Sequence, residues 1–238
     1  LHVYPAPKAA VAPRLDGLFD DAAWQVAPLV SGFTLYGKDK WAEVQTSFRI
    51  LWDDRFLYFA VTCDEPRMGQ LEPTVLSRDE HGIFSEEAVE LFIDPGHTHD
   101  AYYQLAMNAA ASLYDGFREE LTWSSEAVIK AHRGELAWTL ELAIPWSALA
   151  EKPAAGKVMG FNVCRDRHLD GKTWSAWART MAGFHDPARF AHLVLSGTPE
   201  SIGRQSAEFR KGDRNGPIVV YGAGGFAQSP YLELASAA

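Results

Sequence analysis

Glu90 stands in the run Val89-Glu90-Leu91-Phe92-Ile93, an acid among apolar residues. By the two-residue alternation of a strand it points away from the face on which Val89 and Leu91 build a core. A carboxylate held there has two ordinary uses: it accepts hydroxyl protons of a bound ligand, or it pairs with an arginine on a neighbouring strand. Gln104 and Asn108 share one face of the following run by the same alternation, and either reach the same pocket or lie on a solvated face. Arg165 and Asp166 end a further strand and would add hydrogen-bond partners at the same rim. Phe84, Trp174 and Trp177 are flat rings that either fill a core or stack on a ligand.

Other constellations are weaker. His97, His99 and Asp100 fall on one loop, where a solvated turn competes with a transition-metal cluster. Asp94 and Asp100 with neighbouring carbonyls form a candidate calcium site, since calcium takes oxygen ligands. Glycoside hydrolysis needs two carboxylates facing each other across the scissile bond. Glu86, Glu87, Glu90 and Asp94 are available, but Glu90 and Asp94 share one strand, and no nucleophile elbow, P-loop or HExxH motif occurs. A non-catalytic chain is expected. Met107 or Met181 with a His or Lys could ligate haem iron for electron transfer, although no spacing marks a pair.

The chain has 238 residues, enough for one large domain with a tail, and its 47% apolar and 22% charged residues are those of a globular protein. With a net charge of −9 and basic residues scattered singly, no stripe for nucleic acid or an anionic membrane is present. No apolar run is long enough to span a bilayer, which needs about 18 residues or more. Aromatic residues make up 12%, with 8 Trp. Cys63 and Cys164 match no metal spacing, and two buried free thiols are favoured over a disulfide. A chain that starts at Leu1 with neither Met nor an apolar leader reads as processed or trimmed.

The elements that must position these residues are short strands. Phe48, Ile50 and Trp52 alternate before the Asp53-Asp54-Arg55 turn, and Phe56 to Cys63 returns as a hairpin. Further strands are expected at Ala88 to Asp94, Tyr102 to Asn108, Ala109 to Phe117 with a break at Asp115-Gly116, Ala127 to His132, Trp138 to Ile144, Gly160 to Asp166, Thr173 to Thr180 and Ala191 to Ser196. Asp20 caps a short helix that packs Trp24 inward, Phe33 to Trp41 is a loop over one sheet, and Glu65 to Gly82 is a long polar loop. Many short strands with turn chemistry between them and almost no long amphipathic helix predict an all-β fold, an antiparallel β-sandwich with short helices. It occupies residues 1–198. Residues 199–238 form a C-terminal extension or a linker to another domain, with a helix from Pro199 to about Arg210 and a strand at Ile218 to Tyr221.

Taken in order, LDGLFDDAAW, ILWDDRFLYFAV followed by Cys63-Asp64, AVELFIDP, YYQLAMN, WTLELAIPWSAL, GFNVCRDR and TWSAW resemble the family 9 carbohydrate-binding modules, over about Arg14 to Ser196. The resemblance implies a β-sandwich that grips a mono-, oligo- or polysaccharide between aromatic side chains, often at a chain end, requiring no cofactor but carrying structural calcium in many members. It implies that Glu90 is the sugar-binding glutamate, that Phe84 is one aromatic wall and Trp177 the opposite one. Gln104 and Ala106 stand where sugar-binding members have Arg and Asn, and Trp174 where they have a further Asn. An extracellular or periplasmic module of a larger polysaccharide-degrading protein is the expected setting. The alternatives are a structural or protein-interaction sandwich of a larger secreted protein and the haem-binding domain.

Overall fold

A computed structural model describes residues 2–118, 122–181, 183–197 and 219–220. In chain order the strands are β1 (His2–Pro7), β2 (Thr34–Leu35), β3 (Thr46–Trp52), β4 (Phe56–Asp64), β5 (Ala88–Asp94), β6 (Tyr103–Asn108) and β7 (Leu113–Phe117). They continue with β8 (Val128–Arg133), β9 (Ala137–Pro145), β10 (Val158–Arg167), β11 (Thr173–Ala176), β12 (Ala191–Ser196) and β13 (Val219–Val220). One α-helical turn, α1 (Ala22–Gln25), follows Asp21 as its cap residue rather than Asp20.

The strands form two facing sheets, the smaller in the order β3-β4-β9-β8 and the larger in the order β13-β1-β12-β10-β5-β6-β7. The larger sheet forks at β10: its first half pairs with β12 and its second half with β11, which in turn carries β2. Alternation sends Val89, Leu91 and Ile93 of β5 and Leu105 and Met107 of β6 into the space between the sheets, against Phe59, Val61, Leu140 and Leu142 of the smaller one. Each such side chain contributes about 1.5–3 kcal/mol of burial. Trp177, just past β11, plugs the fork: its N–H donates to the Val163 carbonyl and its ring packs on Phe48 and Phe161.

The all-β sandwich is as the sequence predicts, and most strand positions agree within two residues. Four features differ, the first being that the strand expected at Thr173 to Thr180 ends at Ala176. HVYPAP is a strand, pairing parallel with β12 and, through His2 and Val3 among the described residues, with β13; at Pro5 and Pro7 no described strand asks for an N–H donor, so proline is tolerated. The expected loop from Phe33 to Trp41 contains β2, and β7 runs unbroken through Asp115-Gly116. The expected helix after Pro199 lies outside the described residues, as does the strand at Ile218 to Tyr221 except for Val219 and Val220.

LDGLFDDAAW covers the outer face of the smaller sheet, where buried Trp24 packs with Leu51, Tyr58 and Ala143. Buried Glu141 of β9 fixes that segment by accepting from the Asp16 N–H (2.7 Å), the Gly17 N–H (2.6 Å) and Trp24 Nε1 (2.8 Å). Gly17 has φ +88°, and a Cβ there would lie 2.7 Å from the backbone carbon of Ala131, so the turn requires glycine.

Candidate functional site

The outer face of the larger sheet carries the polar groups. Residues opposite one another in an antiparallel pair share a face, so register draws rows across it. One row reads Ala176 (β11), Cys164 (β10), Glu90 (β5), Ala106 (β6) and Tyr114 (β7). The next reads Trp174, Asp166, Ala88 and Asn108. Cys164 and Ala106 therefore flank Glu90 across the sheet as small side chains, buried Phe92 follows it along β5 on the same face, and further aromatic rings stand two strands away on either side. Trp174 is 40% exposed on one side. On the other, half-buried Phe84, from a 3-10 turn over His81–Ser85, meets Tyr114 edge to face at 4.8 Å.

At the centre, Gln104 Nε2 donates to Glu90 Oε2 at 2.5 Å. Glu90 and Asp166 are both buried and hydrogen-bond to each other. Burial pushes both carboxyls up; for Asp166, burial followed by the neighbouring Glu90 charge takes it to about 10. Asp166 Oδ2 has no protein donor facing it. At neutral pH the pair therefore keeps a proton, because two adjacent buried carboxylates cannot both ionise. Among the described residues neither acid forms a salt bridge.

Four sequence-based assignments need correction. Trp177 is fully buried in the core at the fork, so it presents no face to a ligand, and the exposed ring on that side is Trp174. Arg165 is adjacent to Asp166 and so faces the opposite way. It is buried between the sheets, where its NH2 lies 2.7 Å from Glu87 and 3.6 Å from Glu65, with the guanidinium 5.3 Å from the Trp138 ring centroid. Arg167 completes that network with a bidentate pair to Glu65 at 2.8 and 2.9 Å.

Asn108 is the third correction. Its amide is saturated locally: Nδ2 donates to the Val75 carbonyl and Glu86 Oε1, and Oδ1 accepts from the Ala110 and Ser112 N–H groups. Asn108 holds the loop over β6 and β7 in place. The fourth is the Asp94 and Asp100 calcium site. Asp94 accepts from Thr98 Oγ1 (3.3 Å) and the His99 N–H (2.7 Å), whereas Asp100 is exposed and paired with Arg118. The two carboxylates serve different partners and do not fit a shared cation, and no group of three His, Cys, Asp or Glu suited to a metal occurs among the described residues.

His97 Nε2 instead contacts His192 Nδ1 at 2.7 Å, tying the loop after β5 to β12. Met107 is packed in the core, away from any surface where haem would sit, and Met181 is exposed. The cysteines are free and buried: Cys63 lies between the sheets and Cys164 on the outer face of the larger one. A void between the sheets is lined by apolar side chains such as Phe59, Leu91, Met107 and Val163, and is a packing defect on the opposite face of β5 from Glu90.

Sequence reasoning missed Tyr114, the small residues around Glu90 and the pairing of Glu90 with Asp166. Alternation in YYQLAMN places Ala106 beside Gln104 on the outward face, but the partner across the sheet depends on register, which no single strand encodes.

The family model "Carbohydrate family 9 binding domain-like" matches residues 15–198. Endo-1,4-beta-xylanase A of Thermotoga maritima is 26% identical over 160 residues, covering 62% of this chain and 14% of that enzyme. The corresponding enzyme of Thermotoga neapolitana is 25% identical over 196 residues, covering 77% of this chain and 17% of its own length. The chain thus spans less than a fifth of these relatives. Among solved structures, a family 9 carbohydrate-binding module from Caldicellulosiruptor kristjanssonii in complex with cellotriose superposes with a TM-score of 0.63 at 17% identity, covering 82% of this chain and 94% of that one. The sandwich is the same fold.

Proposed function

Since the chain belongs to the carbohydrate family 9 binding domain-like proteins, we propose that the outer face of its larger sheet binds a saccharide without cleaving it. The Glu90–Asp166 pair is the observation that supports this most. Two adjacent acids buried without a cation bonded to either cost stability, and groups kept at such a cost are characteristic of sites rather than scaffolds. Sharing one proton, the pair offers both a donor and an acceptor, and the Gln104 amide adds more of each. This is the complement of vicinal hydroxyls, which also donate and accept. Trp174 beside them supplies a flat ring for the C–H face of a sugar.

The substrate class in this reading is a β-1,4-linked glucose or xylose chain. The names of the xylanase relatives and the cellotriose held by the structural neighbour support it. An extracytoplasmic location, within a larger carbohydrate-active protein, belongs to the same reading and draws on the much greater length of those enzymes. Among the described residues no helix is long and apolar enough to cross a membrane. Isothermal titration with glucose, xylose, cellotriose and xylotriose tests the proposal. Binding of one series, weakened about tenfold or more by Trp174→Ala or Glu90→Ala, is the expected result. Failure of every one of these sugars to bind at millimolar concentration would overturn it.

A further inference from the structure

Six of the eight tryptophans are buried or packed against the core; only Trp41 and Trp174 stand well exposed, at 49% and 40%. Both lie on the outer face of the larger sheet, on the branch formed by β11 and β2. Trp41 bridges Thr34, Thr34 pairs with Ala176, Ala176 with Cys164 and Cys164 with Glu90, so Trp41 extends the row that contains the central acid. The hairpin that presents it is tight: the Leu35 N–H donates to the Lys40 carbonyl (2.8 Å) and the Ala42 N–H to the Phe33 carbonyl (2.9 Å). Four strand spacings separate Trp41 from Glu90, about 19 Å along the sheet.

The strip between them is not a gap. The Tyr36 N–H donates to the Trp174 carbonyl at 2.8 Å, which sets Tyr36 beside that ring's strand, and Phe184 meets Tyr36 edge to face at 6.4 Å. Phe184 also joins Cys164 and Ala176 in one apolar cluster, filling the space above the small residues. Exposed Lys38, Asp39 and Arg179 border the strip, with Asp39 and Arg179 paired at 3.3 Å. Trp41, half-buried Tyr36 and Trp174 form an aromatic strip with a charged border, backed by buried Phe184 and ending beside the buried polar cluster, and such a strip matches a run of sugar rings: apolar faces on the rings, hydroxyls along the edge.

We propose that this branch holds the continuation of a polysaccharide chain whose first unit sits at Glu90, with Trp41 as a distal stacking platform several sugar units away. This rests on the saccharide-binding reading above and adds that several consecutive units are bound. Its test is the length dependence of affinity, measured by titration with β-1,4-linked gluco- and xylo-oligosaccharides from two to six units. For the native chain, affinity should rise about tenfold between the disaccharide and the hexasaccharide. Trp41→Ala should abolish that rise while leaving the disaccharide unchanged, Trp41→Tyr should keep most of it, and Trp174→Ala should weaken every length. A native affinity independent of length, or a Trp41→Ala protein that binds the hexasaccharide as the native chain does, overturns the extended platform and leaves single-unit binding standing. Absence of binding at every length overturns both.

Discussion

Asp166 sits one alternation step from the residue directly across from Glu90 on the neighbouring strand, and the two carboxyls share a hydrogen bond in a buried place. Asp166 ionises near 3.8 when unfolded and is pushed up to about 10 when folded. The unfolded chain therefore releases this proton first as pH rises. Its contribution to stability is complete below about pH 3.8 and falls away as pH climbs towards 10. Urea unfolding should show lower stability at pH 9 than at pH 5, and Asp166→Asn should flatten that slope and be the more stable protein at pH 9. An unchanged slope in the variant would mean that the pair holds no proton.

Trp174 and Trp177 should separate binding from folding. Trp177→Ala removes a ring from the core at the fork and should cost about 3–5 kcal/mol in denaturant unfolding. Trp174→Ala removes an exposed ring and should change stability by no more than about 0.5 kcal/mol, while weakening saccharide binding. The reverse pattern would return Trp177 to the binding surface.

Glu141 should be a folding residue. Its three hydrogen bonds pin the turn at Asp16 and Gly17 and the ring of Trp24 onto the smaller sheet. Glu141→Ala leaves those donors without their acceptor and should lower stability by about 3 kcal/mol. Titration below the unfolding temperature should find saccharide affinity unchanged, because this segment lies on the face opposite the acid pair.

The thiols should be silent until the chain unfolds. Burial pushes Cys63 up to about 11 and Cys164 well above its ordinary value, so neither is a thiolate at neutral pH. A thiol reagent should label none in the native protein and both after denaturation. A disulfide would give none in either state.

What the sequence discloses follows from what is local. The β3–β4 hairpin, β5, β6, β9 and β12 show their alternation directly, and Glu90 and Gln104 are legible as outward-facing polar residues on adjacent strands. Alternation alone also separates Trp174 from Trp177, three positions apart, and Arg165 from Asp166, one apart: an odd spacing along a strand means opposite faces. Choosing Trp177 as a wall followed the family resemblance over that parity. β1 is hidden by two prolines, and β2 by the charges around it. Asn108 looks like a ligand group until the loop that consumes all its hydrogen bonds is seen. The Glu90–Asp166 pair depends on register between β5 and β10, which is a property of two strands together.

In β1, Val3 finds its partner at His192, across almost the whole described chain. β5, β6 and β7 pair with their nearest neighbours in sequence, so they can assemble soon after they are made, whereas β1 must wait for nearly all the rest. During synthesis it is therefore an orphan strand for longer than any other, and an orphan strand recruits other copies of its own chain. Pro5 and Pro7 remove two donors from that strand. The residues that conceal β1 from a reader of the sequence also blunt the edge of it that faces away from β12.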